Sequence, residues 1–172
     1  MKWVLDSAHS EMVFKVKHMM ISNVKGQFNN FSIDVDGDDI RNASVKVDIT
    51  ADSINTNSAD RDNHLKSADF FDVEQYPEIT FVSKSIVKED EEDFVLVGDL
   101  TIKGITKEIK VDVEFGGIGK DPWGNEKAGY TVAGKINRKD WGLNWNAALE
   151  TGGVLVSDEV KFSADLQFMK QA

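Results

Sequence analysis

The 172-residue sequence contains no cysteine, which excludes a disulfide framework, a thiol nucleophile and a Cys-ligated metal. Imidazole is nearly as scarce. His9, His18 and His64 are the only three, none lies two or four residues from another, and no HExxH-type spacing occurs, so no metal site is assigned. Arginine is restricted to Arg41, Arg61 and Arg138. No apolar run approaches the roughly 18 residues that a membrane-spanning helix needs. Two prolines and the lack of any Gly- or Pro-rich tract leave no linker, so residues 1–172 read as one domain, long enough for a packed core.

The charge is one-sided, with 20 basic and 30 acidic side chains and a formal net charge of −10. That sign opposes phosphate backbones and anionic lipid surfaces, so the expectation is no nucleic-acid partner, no peripheral membrane binding and no stable membrane insertion. A hydrophobic fraction of 41% is that of a folded globule and excludes wholesale disorder. The start, Met1 to Asp6, turns polar too soon for a signal-peptide core, so the expectation is cytoplasmic if Met1 is the native start and exported if a leader was removed.

Period-2 alternation fills most of the chain. Val160, Phe162, Ala164, Leu166 and Phe168 alternate with Lys161, Ser163, Asp165 and Gln167, giving one dry and one wet strand face. The same pattern runs through Met12–Val16, Val45–Ile49, Phe94–Ile102, Ile109–Phe115 and Tyr130–Ile136. Between Phe28 and Phe31 the apolar parity changes, which predicts a bulge near Asn29-Asn30. Turn clusters are expected at Asp36-Gly37-Asp38, Lys88 to Asp93, Lys103-Gly104, Gly116 to Asn125 and Gly152-Gly153. Many short strands with one apolar face each predict an all-β sandwich or closed barrel, and periodicity does not choose between them. Alternation fails from Asn57 to Tyr76. There Leu65, Ala68 and Phe71 fall at near-helical spacing behind a Ser58 cap, predicting one or two short helices that Pro77 ends.

Catalytic motifs are missing. Ser10 follows His9 directly, but strand neighbours point to opposite faces, and no G-x-S-x-G elbow exists. Asp34 to Asp39 has its glycine fourth rather than sixth and Val45 at the twelfth position, so it is not an EF-hand loop. Lys103 to Lys107 lacks the phosphate-loop spacing. The acidic run Glu89 to Asp93 reads as a solvated hairpin tip. Asp48, Asp112, Glu114 and Asp165 fall on outward parities, where carboxylates are ordinary. Trp3, Trp123, Trp141 and Trp145 lack the basic groove that base stacking requires and are read as core or rim packing. No catalytic residue and no cofactor is assigned.

The blocks Asp6-Ser7-Ala8-His9-Ser10, Lys25 to Phe28, Arg61 to Phe81, Gly98 to Val111, Asp121 to Tyr130 and Ile136 to Phe162, in that order, resemble the YceI-like family from Leu5 to Phe168. The resemblance implies a lipocalin-like antiparallel β-barrel of about eight strands, with one or two short helices closing an end. It also implies binding of a long isoprenoid lipid and a homodimer. Such a barrel either packs its interior or holds a ligand.

On that reading the lumen is lined by Phe14, Val16, Phe28, Phe81, Leu96, Leu100, Val111, Val113, Tyr130, Val132, Ile136, Phe162, Leu166 and Phe168. Gly98, Gly134 and Ala164 share their parity and leave room among them. His18, Arg138 and Trp141 are the candidate head-group or rim residues, although Arg61 and Arg138 equally suit pinning the helical cap or the Trp141 corner. The expected function is non-enzymatic binding, storage or transport of an isoprenoid quinone or polyprenyl phosphate. A fatty acid or fatty amide carrier is the near alternative. An enzyme using His9, His18 or Arg138 on an isoprenoid, and a packed domain with no cavity, are the rivals of other classes.

Overall fold

Wherever the alternation holds, the chain forms strands, and the computed structural model of the protein describes residues 2–19, 21–37, 43–146 and 156–171. The strands are β1 (Lys2–Leu5), β2 (Glu11–His18), β3 (Ser22–Phe28), β4 (Phe31–Asp36), β5 (Ser44–Thr50), β6 (Ile54–Asn55), β7 (Glu78–Lys88), β8 (Asp93–Ile102), β9 (Ile105–Lys120), β10 (Glu126–Asn137) and β11 (Val156–Gln171). One helix, α1 (Ala59–Lys66), sits between β6 and β7.

Three staves are kinked, and each consists of two strands: β1 with β2, β3 with β4, and β5 with β6. Counted this way, eight antiparallel staves follow one another around the sheet in chain order. The last closes on the first, because β11 pairs with β2 along one half and with β1 along the other. An even number of staves lets an antiparallel meander close without a parallel seam, and closure removes both sheet edges.

The first kink is built by Asp6-Ser7-Ala8-His9-Ser10. Ser7–His9 form a 3-10 turn, so His9 and Ser10 do not occupy a strand as the sequence reading assumed. The Asp6 N–H donates to Gln167 O at 2.8 Å, and Ser10 Oγ accepts from the Gln167 N–H at 3.0 Å. Asp6 Oδ2 takes Lys127 Nζ at 2.5 Å and His9 Nδ1 at 2.8 Å. The second kink corrects the bulge expected near Asn29-Asn30. The parity changes because the chain leaves the ladder with β2 and β6 and joins the ladder with β1 and β5. Ser53 holds this corner, its carbonyl accepting from Asn29 N–H at 3.1 Å and its hydroxyl from Asn30 N–H at 3.0 Å.

The register slips instead at Lys84 in β7, at Gly116 in β9 and between Val156 and Val160 in β11. β9 also runs on to Lys120, so the turn expected over Gly116 to Asn125 shrinks to residues 121–125. There the Asp121 carboxylate accepts the N–H groups of Trp123 and Asn125, both at 2.9 Å. Lys103 and Gly104, at φ 53° and 76°, make the two-residue turn between β8 and β9. The Gly152-Gly153 turn and Asp38 lie outside the described residues.

The non-alternating segment yields one α-helix, not two. Ser58 Oγ accepts from Arg61 N–H at 3.4 Å at its start, with Asp60 and Asp62 in its first turn. Residues 67–76 follow as turns stitched back to it, Phe71 N–H donating to Leu65 O at 3.0 Å. Phe70 and Phe71 thereby reach the barrel core.

Candidate functional site

The barrel interior is not filled. It encloses a cavity of about 570 Å³, within the range of small-molecule sites. All fourteen residues placed in the lumen by parity, from Phe14 to Phe168, line it. Met12, Ile33, Val35, Val45, Val47 and Ile79 join them on the same alternation. On β11 the lining runs from Val156 to Phe168, about 40 Å along the strand. At a strand tilt of 35–45° that makes a channel roughly 30 Å long.

Glycines shape the wall differently from expectation. Gly98 and Gly134 leave no empty room, because aromatic rings lie directly over them. Phe162 faces Gly134 across the β10–β11 ladder, and Phe14 faces Gly26 across β2–β3. A Cβ on any of Gly26, Gly98 or Gly134 would collide with the ring of Phe14, Phe81 or Phe162 respectively. The rings are thus laid flat against the sheet, which keeps the bore open.

Tyr130 apart, every ionisable group among the described residues that lines the cavity belongs to one end. These are Lys17 and His18 from β2, Asp60, Arg61 and His64 from α1, and Arg138 at the end of β10. Five of the six carry or can accept positive charge, in a chain of net charge −10. His18 stands at this mouth, as its parity suggested. The apolar closure there comes from Leu65, Phe70, Phe71, Leu143 and Trp145. Sequence reasoning missed Leu143 and Trp145 as lining because their segment has no period to read. His64 packs edge-on between Phe70 and Trp145, at ring distances of 5.1 and 4.6 Å, and bonds Asp69 at 2.9 Å.

Arg138 is 3% exposed and donates to four backbone carbonyls: Leu143 at 2.5 Å, Ser157 and Trp145 at 2.9 Å, and Val156 at 3.3 Å. Among the described residues that leaves one N–H of its five. It pins the corner after β10 to the start of β11 while forming part of the cavity wall. Burial pushes its guanidinium below its ordinary value, and the Asp158 charge opposes the shift. The guanidinium stays charged nevertheless. Trp141 is corrected as a rim residue. It is 2% exposed, lies outside the cavity lining and donates its indole N–H to Leu100 O at 2.9 Å.

Arg61 and Asp62 both grip Thr56. Arg61 Nε donates to Thr56 Oγ1 at 2.8 Å and Nη2 to Thr56 O at 2.7 Å. The Asp62 carboxylate accepts the Thr56 N–H at 2.8 Å and its hydroxyl at 2.6 Å. The helix is therefore tied to β6 through charged side chains while Arg61 still faces the cavity.

Of the three residues named for the enzyme rival, His18 and Arg138 line the cavity and His9 does not. The His9 side chain is 59% exposed beside Asp6. Ser10 spends its hydroxyl on backbone groups. Among the described residues no cluster of three or more His, Asp or Glu could share a metal ion. Chemically, the site offers a long greasy bore ending in a cationic cluster.

Residues 3–168 match the family model described as YceI-like domain. A UPF0312 protein of Staphylococcus aureus (strain MSSA476) is 47% identical over 169 residues, covering 96% of each chain. Among solved structures, Burkholderia cenocepacia BcnA superposes with a TM-score of 0.82 at 25% identity, over 95% of this chain and 98% of that one. A Campylobacter jejuni YceI protein gives 0.78 at 35% identity, over 91% and 90%. A structure described as a polyisoprenoid binding domain from Saccharophagus degradans gives 0.74 at 14% identity, over 99% of both chains, a likeness of fold.

Proposed function

The chain belongs to the YceI-like family, and from that premise and its cavity we propose that it binds one long-chain isoprenoid lipid as a non-enzymatic carrier or store. The observation that carries the reading is the shape and polarity of the bore, apolar over roughly 30 Å and ionisable at the mouth capped by α1. Each buried methylene contributes roughly 0.8 kcal/mol, so a chain lying along the bore offsets the entropy cost of ordering it. The fold of the Saccharophagus polyisoprenoid binding domain supports the same guest class.

The head group of this guest sits at the cationic end, among Lys17, His18, Arg61 and the remaining N–H of Arg138. That preference favours a polyprenyl phosphate over an isoprenoid quinone. A fatty acid satisfies the same mouth and is the second reading, because an apolar bore discriminates weakly among tails. Extraction of lipid from protein purified without detergent, followed by mass spectrometry, tests the proposal. An intact prenyl chain supports it, a mixture of substrate and processed product favours the enzyme, and protein empty under all conditions overturns it.

A further inference from the structure

From Met12 to Ile33 the chain carries no acidic residue, the longest such run in a sequence with 30 of them. This run covers the β2–β3 hairpin from Met12 onward and the start of β4. The hairpin's turn exposes apolar side chains, with Met19 44% and Ile21 83% exposed. Its stem is basic and carries Lys15, Lys17 and Lys25. Lys25 lies directly opposite Lys15, Lys15 opposite Lys161 on β11, and Lys161 opposite Lys135 on β10. Four lysines thus stand in register across four neighbouring strands, a row about 14 Å long on the outer face. Like charges directly opposed on a sheet destabilise it, so folding does not account for the row. Lys135 meets Glu159 at 3.6 Å, and the other three have no acidic partner among the described residues.

We propose that the β2–β3 hairpin docks the protein on an anionic bilayer, with Met19 and Ile21 entering the headgroup layer and Lys15, Lys25 and Lys161 neutralising lipid phosphates. Interfacial elements sink about 5–10 Å, which brings the lysine stem to headgroup level. The net charge of −10 does not forbid this, because charges beyond about 8 Å are screened at physiological ionic strength. Val16, His18 and Val24 of the same hairpin line the cavity, so the docked element is also the wall of its mouth. A guest would pass between bilayer and bore along that wall. This last step rests on the lipid-carrier reading, whereas the docking itself does not.

The test is flotation with phosphatidylglycerol–phosphatidylcholine vesicles against vesicles of phosphatidylcholine alone. Wild type should bind the anionic vesicles preferentially and lose them in high salt. Each lysine near such a surface contributes about fivefold, so Lys15→Gln with Lys161→Gln should weaken binding about thirtyfold without lowering the thermal midpoint. Ile21→Ser should weaken it about tenfold or more. Trp123→Ser is the control for orientation. Trp123 is 83% exposed on the β9–β10 turn at the opposite end of the barrel and should be indifferent. Equal partition to both vesicle types, binding lost with Trp123 and kept without Ile21, or binding only to a soluble polyanion would each overturn the proposal. Lipid extraction separates the two readings. A guest without vesicle binding defeats the docking alone, and vesicle binding with an empty cavity defeats the carrier alone.

Discussion

Arg138→Met tests whether the buried guanidinium is chiefly a corner post. The substitution keeps much of the aliphatic bulk and removes donors to four carbonyls, those of Leu143, Trp145, Val156 and Ser157. Val156 O keeps Asn146 Nδ2 at 2.7 Å, so three carbonyls are exposed to the loss. A buried acceptor left unsatisfied costs about 1–3 kcal/mol. Water entering from the cavity mouth re-solvates part of the set, so the net loss is taken as about 3–5 kcal/mol. For a chain of this length that lowers the melting midpoint by roughly 6–20 °C. The assay is thermal and urea unfolding followed by tryptophan fluorescence, with Trp141 and Trp145 reporting from the corner itself. Arg138→Lys should recover only a small part, because one ammonium cannot span the fork. A variant that melts within a degree of wild type would refute the reasoning, and if it also lost its guest Arg138 would be a head-group anchor only.

Three further outcomes follow from the geometry. Val132→Trp, facing the bore between Val113 and Ala164 on its neighbouring strands, should block guest uptake at less than the 1–3 kcal/mol of an overfilled core. Thr131→Trp on the outer face should leave uptake unchanged, and the reverse result in binding titrations would mean that the register is off by one. Gly134→Ala should push the Phe162 ring into the bore and reduce guest capacity with little change in unfolding midpoint, whereas Gly98→Ala also meets Val82 O of the backbone and should be clearly destabilising. Asp6 is held below its ordinary value of 3.8 by the hydrogen bonds from Lys127 and His9. Its folded value being depressed, its contribution is present above about pH 4 and lost as pH falls through the folded value. Asp6→Asn should therefore lower stability near neutrality by about 1–3 kcal/mol and flatten the acid limb of a stability–pH curve.

The lumen was legible because its residues obey one rule. Phe162, Leu166 and Phe168 lie on a strand with one wet face, and closing that strand into a barrel turns its dry face inward. The kinks were not legible as kinks, since a parity change at Phe28–Phe31 looks the same whether the strand bulges or changes partners. Ser53, which decides between these, lies 22 residues beyond Phe31 and bonds through its backbone and hydroxyl. The cavity's closure by Leu143 and Trp145 escaped for a related reason, because an irregular segment is placed by Arg138 and its carbonyls and not by periodicity. The flat phenyl rings over Gly98 and Gly134 depend on cross-strand register, which alternation alone does not supply.

The claim that the bore holds a long apolar chain with its head at the α1 end is met most directly by native mass spectrometry. The protein would be incubated with a long prenyl alcohol and with the prenyl monophosphate of the same length. The account predicts one guest per chain for both, the phosphate retained to higher collision energy, and that advantage reduced by Lys17→Gln together with Arg61→Gln. No adduct with either ligand, or adducts undiminished in Val132→Trp, would contradict it.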